Sequence, residues 1–441
     1  AAAPSCIVAH AYHETCLVLA CPDMTQRMGV RAWLGVVVLA LVGCESESDV
    51  ERTVDASSRS IRAAVHSNLS VSSKLASALR DQPGNLFYSP LSIEAVTGLL
   101  FAGAAGDTAA QLGKLLDTEG DPEALHEGLG ALLLHLSRQH SQYTLSVANR
   151  LWATPELKLS QAFVDTSRDN YRAPIEWVAF KDDPEAARAE INHWVSEQTA
   201  NKIPELFESG QISASTVMAV VNAIYFKADW ATAFDPKLTR SEPFHRAGSS
   251  DVTVDMMTTP KTKLRAAFEG NAFWLELPYR AGEVSFLAYT RGSAFGSDSS
   301  TASVQELQDD LAEVDLNRVV ESLHEEELVA QLPKFSMRSR LNLIPVFEPL
   351  GVTDLFDPGS ADLSKLSTST TGFVSPFVHE AAVWVDELGT VAVAATAAGV
   401  LRSGPREVRF DRPFLFFIRD NRTGAIVFSG RVADPSAGAA D

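Results

Sequence analysis

The chain has 441 residues, of which 46% are hydrophobic and 21% are charged, and its formal net charge at pH 7 is −19. A chain of this length and composition can bury a sizeable core as a soluble protein. The acidic balance excludes a broad nucleic-acid-binding surface, because such surfaces need clustered Lys and Arg to neutralise phosphates. We therefore expect no nucleic-acid partner.

The N-terminal residues are typical of an exported lipoprotein. A short basic start at residues 28–31 precedes an apolar run, residues 32–43, which has the length of a signal-peptide core and is short for a membrane span. Small residues precede Cys44, an arrangement that resembles the bacterial lipobox, in which the cysteine is lipidated. Cys44 is thus the predicted lipidation site; the alternative is a chance cysteine after an ordinary signal peptide.

Four segments follow from this pattern. We predict an over-extended start over residues 1–27, a lipoprotein signal peptide over 28–43, a flexible acidic tether over 44–60 and a single domain over 61–441. The mature chain would keep only Cys44, so we expect neither disulfides nor a thiolate metal site. The expected location is the envelope of a bacterial cell, at the outer membrane, or outside the cell, with membrane contact only through the lipid.

Helical signals dominate the first part of the domain. Ser89-Pro90 provides an N-cap followed by a proline in the first turn. Asp107 and Asp183-Pro184 begin two further predicted helices. The apolar residues that share one face after these three starts are Ile93, Val96, Leu99 and Leu100, then Leu112, Leu115 and Leu116, then Ala187, Ile191, Trp194 and Val195.

Strand signals interleave with the helices and dominate towards the C-terminus. No crossover helix regularly follows a strand, and no Pro/Gly-rich linker divides the domain, so the predicted fold class is α+β in one domain. The predicted strands cover residues 143–152, 216–226, 273–278, 284–289, 328–335, 373–385, 408–418 and 425–432.

Sequence motifs for catalysis are absent. The chain has no Gly-x-Ser-x-Gly elbow, no Walker loop and no dinucleotide glycine fingerprint. The His-Glu pairs at His126, His324 and His379 lack a second histidine four residues on, which excludes the zincin helix. We therefore predict no catalytic residue, no metal and no cofactor, and we expect that the protein is not an enzyme. A hydrolytic lipoprotein is the weakest alternative.

The segment 385–405 is chemically unusual. Between Leu388 and Leu401 it carries no charge and no proline, and most side chains are small. A strand that enters the middle of a sheet must offer every N–H and keep charge off its inward face, and this run meets both conditions. The alternative is a buried Ala-rich helix, which Gly389 and Gly399 disfavour.

A set of motifs follows one order along residues 68–435. They are Asn85-Leu-Phe-Tyr-Ser-Pro-Leu-Ser-Ile93, Val147-Ala-Asn-Arg-Leu-Trp152, Ile191-Asn-His-Trp-Val195, Val221-Asn-Ala-Ile-Tyr-Phe-Lys-Ala-Asp-Trp230, Val254-Asp-Met-Met257, Leu332-Pro-Lys-Phe335, Leu350-Gly-Val-Thr-Asp-Leu-Phe356 and Arg412-Pro-Phe-Leu-Phe-Phe-Ile418. Through these motifs the chain resembles the serpin family. The resemblance implies three β-sheets, about nine helices and an exposed reactive-centre loop.

The resemblance also implies an irreversible suicide-substrate inhibitor of a serine protease. The protease cuts the loop, the N-terminal part of the loop inserts as a new central strand, and the covalently attached protease is distorted. Thr390, Ala392, Ala394, Thr396 and Ala398 would then point inward. In all, the hinge and inserting strand would comprise Glu387, Gly389, Thr390, Ala392, Ala394, Ala395, Thr396 and Ala398.

Two counts of the reactive bond differ by one residue. Counting from the hinge places cleavage after Ser403, whereas counting back from Pro413 places it after Arg402. Chemistry favours Arg402–Ser403, because an arginine fills the acidic primary pocket of trypsin-like enzymes. Cleavage after Leu401 would indicate a chymotrypsin-like or subtilisin-like target. A cysteine protease is a further alternative target.

The resemblance further assigns residues that support the change of shape. Ser89, Ser92, Asn222 and His379 match a polar cluster beneath the opening sheet, and Trp230 matches the tryptophan near the point where the loop enters. A purely structural role for these buried residues is compatible with that assignment. We expect a monomer. The alternative function is a non-inhibitory serpin that acts as a binding or carrier protein.

Overall fold

A computed structural model of the chain describes residues 54–118, 120–137, 143–292, 301–312, 314–368, 372–390 and 406–438. These residues lie within the compact unit Thr53–Asp441. The predicted start, signal peptide and lipidation site at Cys44 lie outside them, as do loop residues 391–405. Within the described ranges, no helix is long and apolar enough to cross a membrane, and no group of His, Cys, Asp and Glu side chains could hold a metal ion.

Side-chain caps fix where several helices begin. The Ser89 hydroxyl accepts a hydrogen bond from the backbone N–H of Ser92, and the Asp183 carboxylate accepts one from Ala186, so both predicted starts are confirmed. The described helices are α1 (Arg59–Ala78), α2 (Pro90–Gly103), α3 (Gly106–Leu116), α4 (Pro122–Leu136), α5 (Gln161–Asp169), α6 (Pro184–Gln198), α7 (Val304–Asp310), α8 (Leu316–Ser322) and α9 (Ile344–Phe347).

Two helices begin earlier than the sequence suggested. Helix α3 begins at Gly106, one residue before Asp107, which lies in its first turn. Helix α1 begins at Arg59, inside the segment 44–60 that was predicted to be a tether, because the Ser58 side chain caps the backbone N–H of Ile61.

The described strands form two hydrogen-bonded sheets. The six-stranded sheet has the order β11-β12-β4-β2-β3, with β13 also paired to β4; the ten-stranded sheet has the order β1-β16-β15-β9-β8-β7-β10-β6-β5, with β14 also paired to β10. The strands are β1 (Leu86–Tyr88), β2 (Tyr143–Ala153), β3 (Ile175–Trp177), β4 (Met218–Asp229), β5 (Arg240–Phe244), β6 (Val252–Thr258), β7 (Thr262–Glu269), β8 (Ala272–Pro278), β9 (Val284–Arg291), β10 (His324–Pro333), β11 (Phe335–Asn342), β12 (Val378–Val385), β13 (Gly389–Thr390), β14 (Arg406–Arg409), β15 (Phe414–Asp420) and β16 (Ile426–Val432).

The predicted α+β fold class is confirmed, but the described strands form two hydrogen-bonded sheets where three were expected, because β10 changes its partner along its length. The first half of β10 pairs with β7, and its last residues, from Gln331 to Pro333, pair with β6. The strands on either side of β10 therefore belong to one hydrogen-bonded sheet.

Two strands predicted as continuous are each divided. The run 328–335 ends one strand at Pro333 and begins another at Phe335, and these two strands belong to different sheets. The run 408–418 divides into β14 and β15 before Phe414, where Pro413 offers no N–H to a ladder. In both runs the β-favouring residues continue past the point where one strand ends and the next begins. The composition of the run therefore does not show that the chain changes its neighbouring strand.

Strand β4 separates two hydrophobic cores. Its side chains alternate between the faces of the sheet, as the pleat requires. Val220, Ile224, Phe226 and Ala228 pack into the main core. Ala219, Val221 and Ala223 pack into a second core with Ala187, Ile191 and Val195 of α6. The predicted apolar face of α6 is thus confirmed for these three residues and for Trp194, which is partly buried against the same core, and α6 covers the outer face of the sheet.

Candidate functional site

The centre of the six-stranded sheet has a short seam. Strands β4 and β12 are parallel, yet they pair over only four residues each, Asn222–Tyr225 with His379–Ala382. Beyond that seam β13 pairs with the far end of β4 in the antiparallel sense, with Gly389 opposite Asp229 and Thr390 opposite Ala228. The first residues of the predicted hinge therefore already lie along β4.

The geometry at Gly389 requires glycine. Its φ angle is 151°, a conformation that side chains rarely adopt. An added Cβ would lie 2.2 Å from the carbonyl oxygen of Ala228. The backbone of the hinge thus approaches β4 more closely than any other residue type would permit.

Glu387 anchors the hinge to the neighbouring elements. Its carboxylate accepts hydrogen bonds from Lys334 Nζ and Thr239 Oγ1, each at 3.0 Å. Burial acts to raise the pKa of Glu387, but hydrogen bonds and the Lys334 charge outweigh it and hold the pKa below its usual value. The ionised form of the Glu387 carboxylate is therefore the stable one. Its bonds to Lys334 and Thr239 hold the start of the hinge in place.

Trp230 holds the same region through its backbone and its ring. Its backbone N–H donates to the carbonyl of Leu388, and its indole N–H donates to the carbonyl of Asp386, both at 3.0 Å. The indole stacks on Tyr279 with ring centres 4.6 Å apart. Trp230, which was predicted to lie beside the point where the loop would enter, thus contacts the residues just before Gly389.

A buried polar cluster lies beneath the seam. The backbone N–H of Ser89 donates to His379 Nε2, so Nε2 is the acceptor and the opposite nitrogen, Nδ1, donates to Asn222 Oδ1 at 2.6 Å. Asn222 Nδ2 then donates to the Ser92 hydroxyl and to Asn149 Oδ1. Burial lowers the pKa of His379 to about 3, so the imidazole is neutral.

The structure brings the predicted residues together at two places. The four cluster residues lie under the seam, and the hinge residues lie with Trp230 at its end. Sequence reasoning missed Asn149, Lys334 and Thr239 as partners, although Asn149 and Lys334 both lie in quoted family motifs. The predicted residues that fall outside the described ranges are Ala392, Ala394, Ala395, Thr396, Ala398, Leu401, Arg402, Ser403 and Cys44.

Comparisons with known proteins agree with this architecture. Residues 66–435 match the family described as Serpin (serine protease inhibitor). The chain is 36% identical over 356 residues to the leukocyte elastase inhibitor of Xenopus tropicalis, an alignment that covers 80% of this chain and 93% of that protein. It is 36% identical over 390 residues to Serpin B12 of Homo sapiens, covering 80% of this chain and 95% of that protein.

Solved structures give the same result for the fold. Uncleaved ovalbumin superposes with a TM-score of 0.74 at 26% identity, covering 84% of this chain and 100% of that one. Mouse protein-Z dependent protease inhibitor superposes with a TM-score of 0.72 at 24% identity, covering 85% of this chain and 99% of that one. The family match over residues 66–435 and these superpositions identify the fold as the serpin fold. The chain belongs to the serpin family.

The neutral imidazole of His379 predicts acid sensitivity. The unfolded side chain takes up a proton near pH 6.5 and the folded one near pH 3, so the free energy of unfolding should fall as the pH drops below 6.5. His379 alone should contribute about 1.4 kcal/mol to the slope for each pH unit. His379→Gln, which keeps an acceptor for Ser89, should flatten the pH dependence of the melting temperature between pH 6.5 and 4.

The matched control is His193→Gln on α6, whose side chain is 76% exposed. It should leave the slope of the wild-type curve unchanged. Equal slopes for the wild type and His379→Gln would show that His379 does not carry the acid sensitivity.

Proposed function

We propose that the chain inhibits a serine protease as an irreversible suicide substrate. Cleavage of the loop would release its N-terminal part to insert between β4 and β12. The observation that carries this proposal is the antiparallel pairing of Gly389 and Thr390 on β4 at the end of the seam. The leukocyte elastase inhibitor, a relative of similar length, is named as an inhibitor, which supports the same reading.

The register of the hinge supports the predicted inward set. Paired residues of antiparallel strands share one face of a sheet, and Ala228, opposite Thr390, packs into the main core. A strand that continued this register would put every second loop residue on that core face. The pairs would be Ala392 with Phe226, Ala394 with Ile224, Thr396 with Asn222 and Ala398 with Val220. These small, uncharged side chains suit a packed interior.

Strand direction supplies a driving force. Because β12 is parallel to β4 and the hinge is antiparallel to β4, an inserted strand would be antiparallel to both neighbours. Antiparallel ladders are slightly more stable per residue than parallel ones. About a dozen new backbone hydrogen bonds, at roughly 0.5–1.5 kcal/mol each, would contribute on the order of 10 kcal/mol.

Insertion must also separate the two halves of the polar cluster. Asn222 lies on β4 and His379 on β12, and their side chains are 2.6 Å apart. In the continued register Thr396 would lie between them. A hydroxyl both donates and accepts, so Thr396 could pair with each half and leave neither buried group without a partner.

The proposed target is a trypsin-like protease that cleaves Arg402–Ser403. Leu401 and Ser403 stay as alternative cleavage positions, because the two counts of loop length differ. A carrier without inhibitory activity is the alternative function, and it would form no covalent complex with a protease.

We also propose export and lipid attachment at Cys44 to the envelope of a bacterial cell, on the pattern of residues 28–44. Mass spectrometry of the protein purified from its own membranes tests this. A mature N-terminus at Cys44 with an attached lipid is the expected result. A soluble mature protein that begins at another residue would contradict it.

A gel experiment tests the inhibitory mechanism. The purified protein mixed with trypsin should give a band that survives denaturation, at the mass of the two proteins less the C-terminal fragment that cleavage of the loop releases. Thr390→Arg places a charge on the core face of the inserting strand and should turn the inhibitor into a cleaved substrate. Val391→Arg adds the same charge one residue later, on the opposite face, and should retain most of the complex.

Two outcomes would contradict the proposal. Cleavage of the wild type without any covalent complex, at every ratio of inhibitor to protease, would exclude suicide inhibition of trypsin. Equal complex formation by Thr390→Arg and Val391→Arg would exclude the proposed register.

A further inference from the structure

The segment 199–217 crosses the outer face of the six-stranded sheet between α6 and β4, and we call it the crossing segment. It is attached to the α6 side of the seam. Asn192 of α6 accepts the backbone N–H groups of Leu206 and Phe207 at 3.0 and 2.9 Å, and it donates to the carbonyl of Phe207 at 2.8 Å. The Ser146 hydroxyl of β2 donates to the carbonyl of Gln198, at the end of α6.

The same segment is also attached to the other side of the seam. Arg340 of β11 donates to the carbonyl of Leu206 at 2.8 Å and to Gln211 Oε1 at 2.7 Å, and it forms an ion pair with Glu208. Arg338, two residues before it on β11, donates to the carbonyl of Glu205 at 3.4 Å.

An aromatic contact adds to these bonds. The Lys202 ammonium lies 4.2 Å from the ring centre of Trp384 on β12, within the range of a cation–π interaction. Trp384 follows the short seam along β12, so the crossing segment is held over the part of β12 that does not pair with β4.

A buried carboxylate positions the two arginines. Glu380 of β12 is fully buried and pairs with Arg338, while Arg340 Nε lies 3.9 Å from its second oxygen. Burial raises the pKa of Glu380, and the two arginine charges oppose that rise. The arginines therefore extend from β11 across β12 to the crossing segment, with Glu380 as their support.

These bonds span the place where a new strand would enter. Neighbouring strands lie about 4.8 Å apart, so inserting one strand moves β11 and β12 away from β4 by about that distance. A hydrogen bond of 2.7 or 2.8 Å does not survive such a displacement. Either the arginines release the crossing segment, or the segment leaves α6 and breaks its bonds with Asn192.

We propose that Arg338, Arg340 and Lys202 form a clamp across the seam that delays loop insertion. While it is closed, the clamp keeps β12 beside β4 in the uncleaved protein. When it opens, the loop can enter the sheet. This inference rests on the proposed insertion mechanism. It adds that the three clamp residues set the rate at which the loop inserts.

The test compares Arg340→Ala with Arg188→Ala. Arg188 of α6 donates to Glu205 and to the carbonyl of Phe207 in the same crossing segment, but its bonds stay on one side of the seam. The uncleaved proteins are held at a moderately raised temperature, and the fraction converted to a heat-resistant form is followed by circular dichroism. Arg340→Ala should convert at least about tenfold faster than the wild type, and Arg188→Ala at the wild-type rate.

Two further variants secure the interpretation. Thr390→Arg added to Arg340→Ala should abolish the conversion if the heat-resistant form has its loop inserted. Lys202→Ala removes a surface cation but leaves both arginine partners of the buried Glu380 in place. It should therefore fold even if Arg340→Ala does not. It should also accelerate the conversion.

The outcomes separate this inference from the proposed function. If loop cleavage makes the wild type heat-resistant but both clamp variants convert at the rate of Arg188→Ala, the clamp is wrong and the insertion mechanism stands. If loop cleavage gives the wild type no heat resistance, insertion itself fails and the clamp fails with it.

Discussion

The parallel pairing of β4 with β12 is the constraint on which the rest of the structure depends. Strand β4 pairs with β2 along Tyr143–Ala153, but with β12 over four residues only. The centre of the sheet therefore has a junction of only four residue pairs, whereas β4 and β2 share eleven. The hinge strand lies at one end of this junction, the polar cluster lies beneath it, and the crossing segment covers it. In the proposed mechanism, each of these features either holds the junction closed or prepares it to open.

Buried polar groups make the junction specific as well as weak. Apolar side chains alone would let the two strands slide or separate at little cost, whereas His379 and Asn222 tolerate only arrangements in which every donor finds an acceptor. Neutral His379 satisfies Ser89 and Asn222 together. The proposed inserted state satisfies the same groups through a hydroxyl. In the proposed mechanism, the buried polar groups are thus paired both in the uncleaved state and in the inserted state. This lets the sheet change from one packing to the other without leaving a buried group unpaired.

Local signals made much of the fold predictable from the sequence. The caps at Ser89 and Asp183 and the apolar face of α6 follow from side chains close in sequence. The divided runs 328–335 and 408–418 were not predictable, because a strand's partner depends on distant residues. The anchor between Lys334 and Glu387 was missed for the same reason, and so were the contacts of Arg338 and Arg340 with the crossing segment. The reactive bond stays open between neighbouring positions.

Hydrogen exchange measured by mass spectrometry, before and after loop cleavage, tests the central claim most directly. The account predicts that cleavage slows exchange in peptides from β4, from β12 and from residues 390–400, because all three become paired in one antiparallel ladder. Protection should extend along β4 beyond the seam residues Asn222–Tyr225. Unchanged exchange in β4 and β12, with rapid exchange in the cleaved loop, would contradict insertion at the seam.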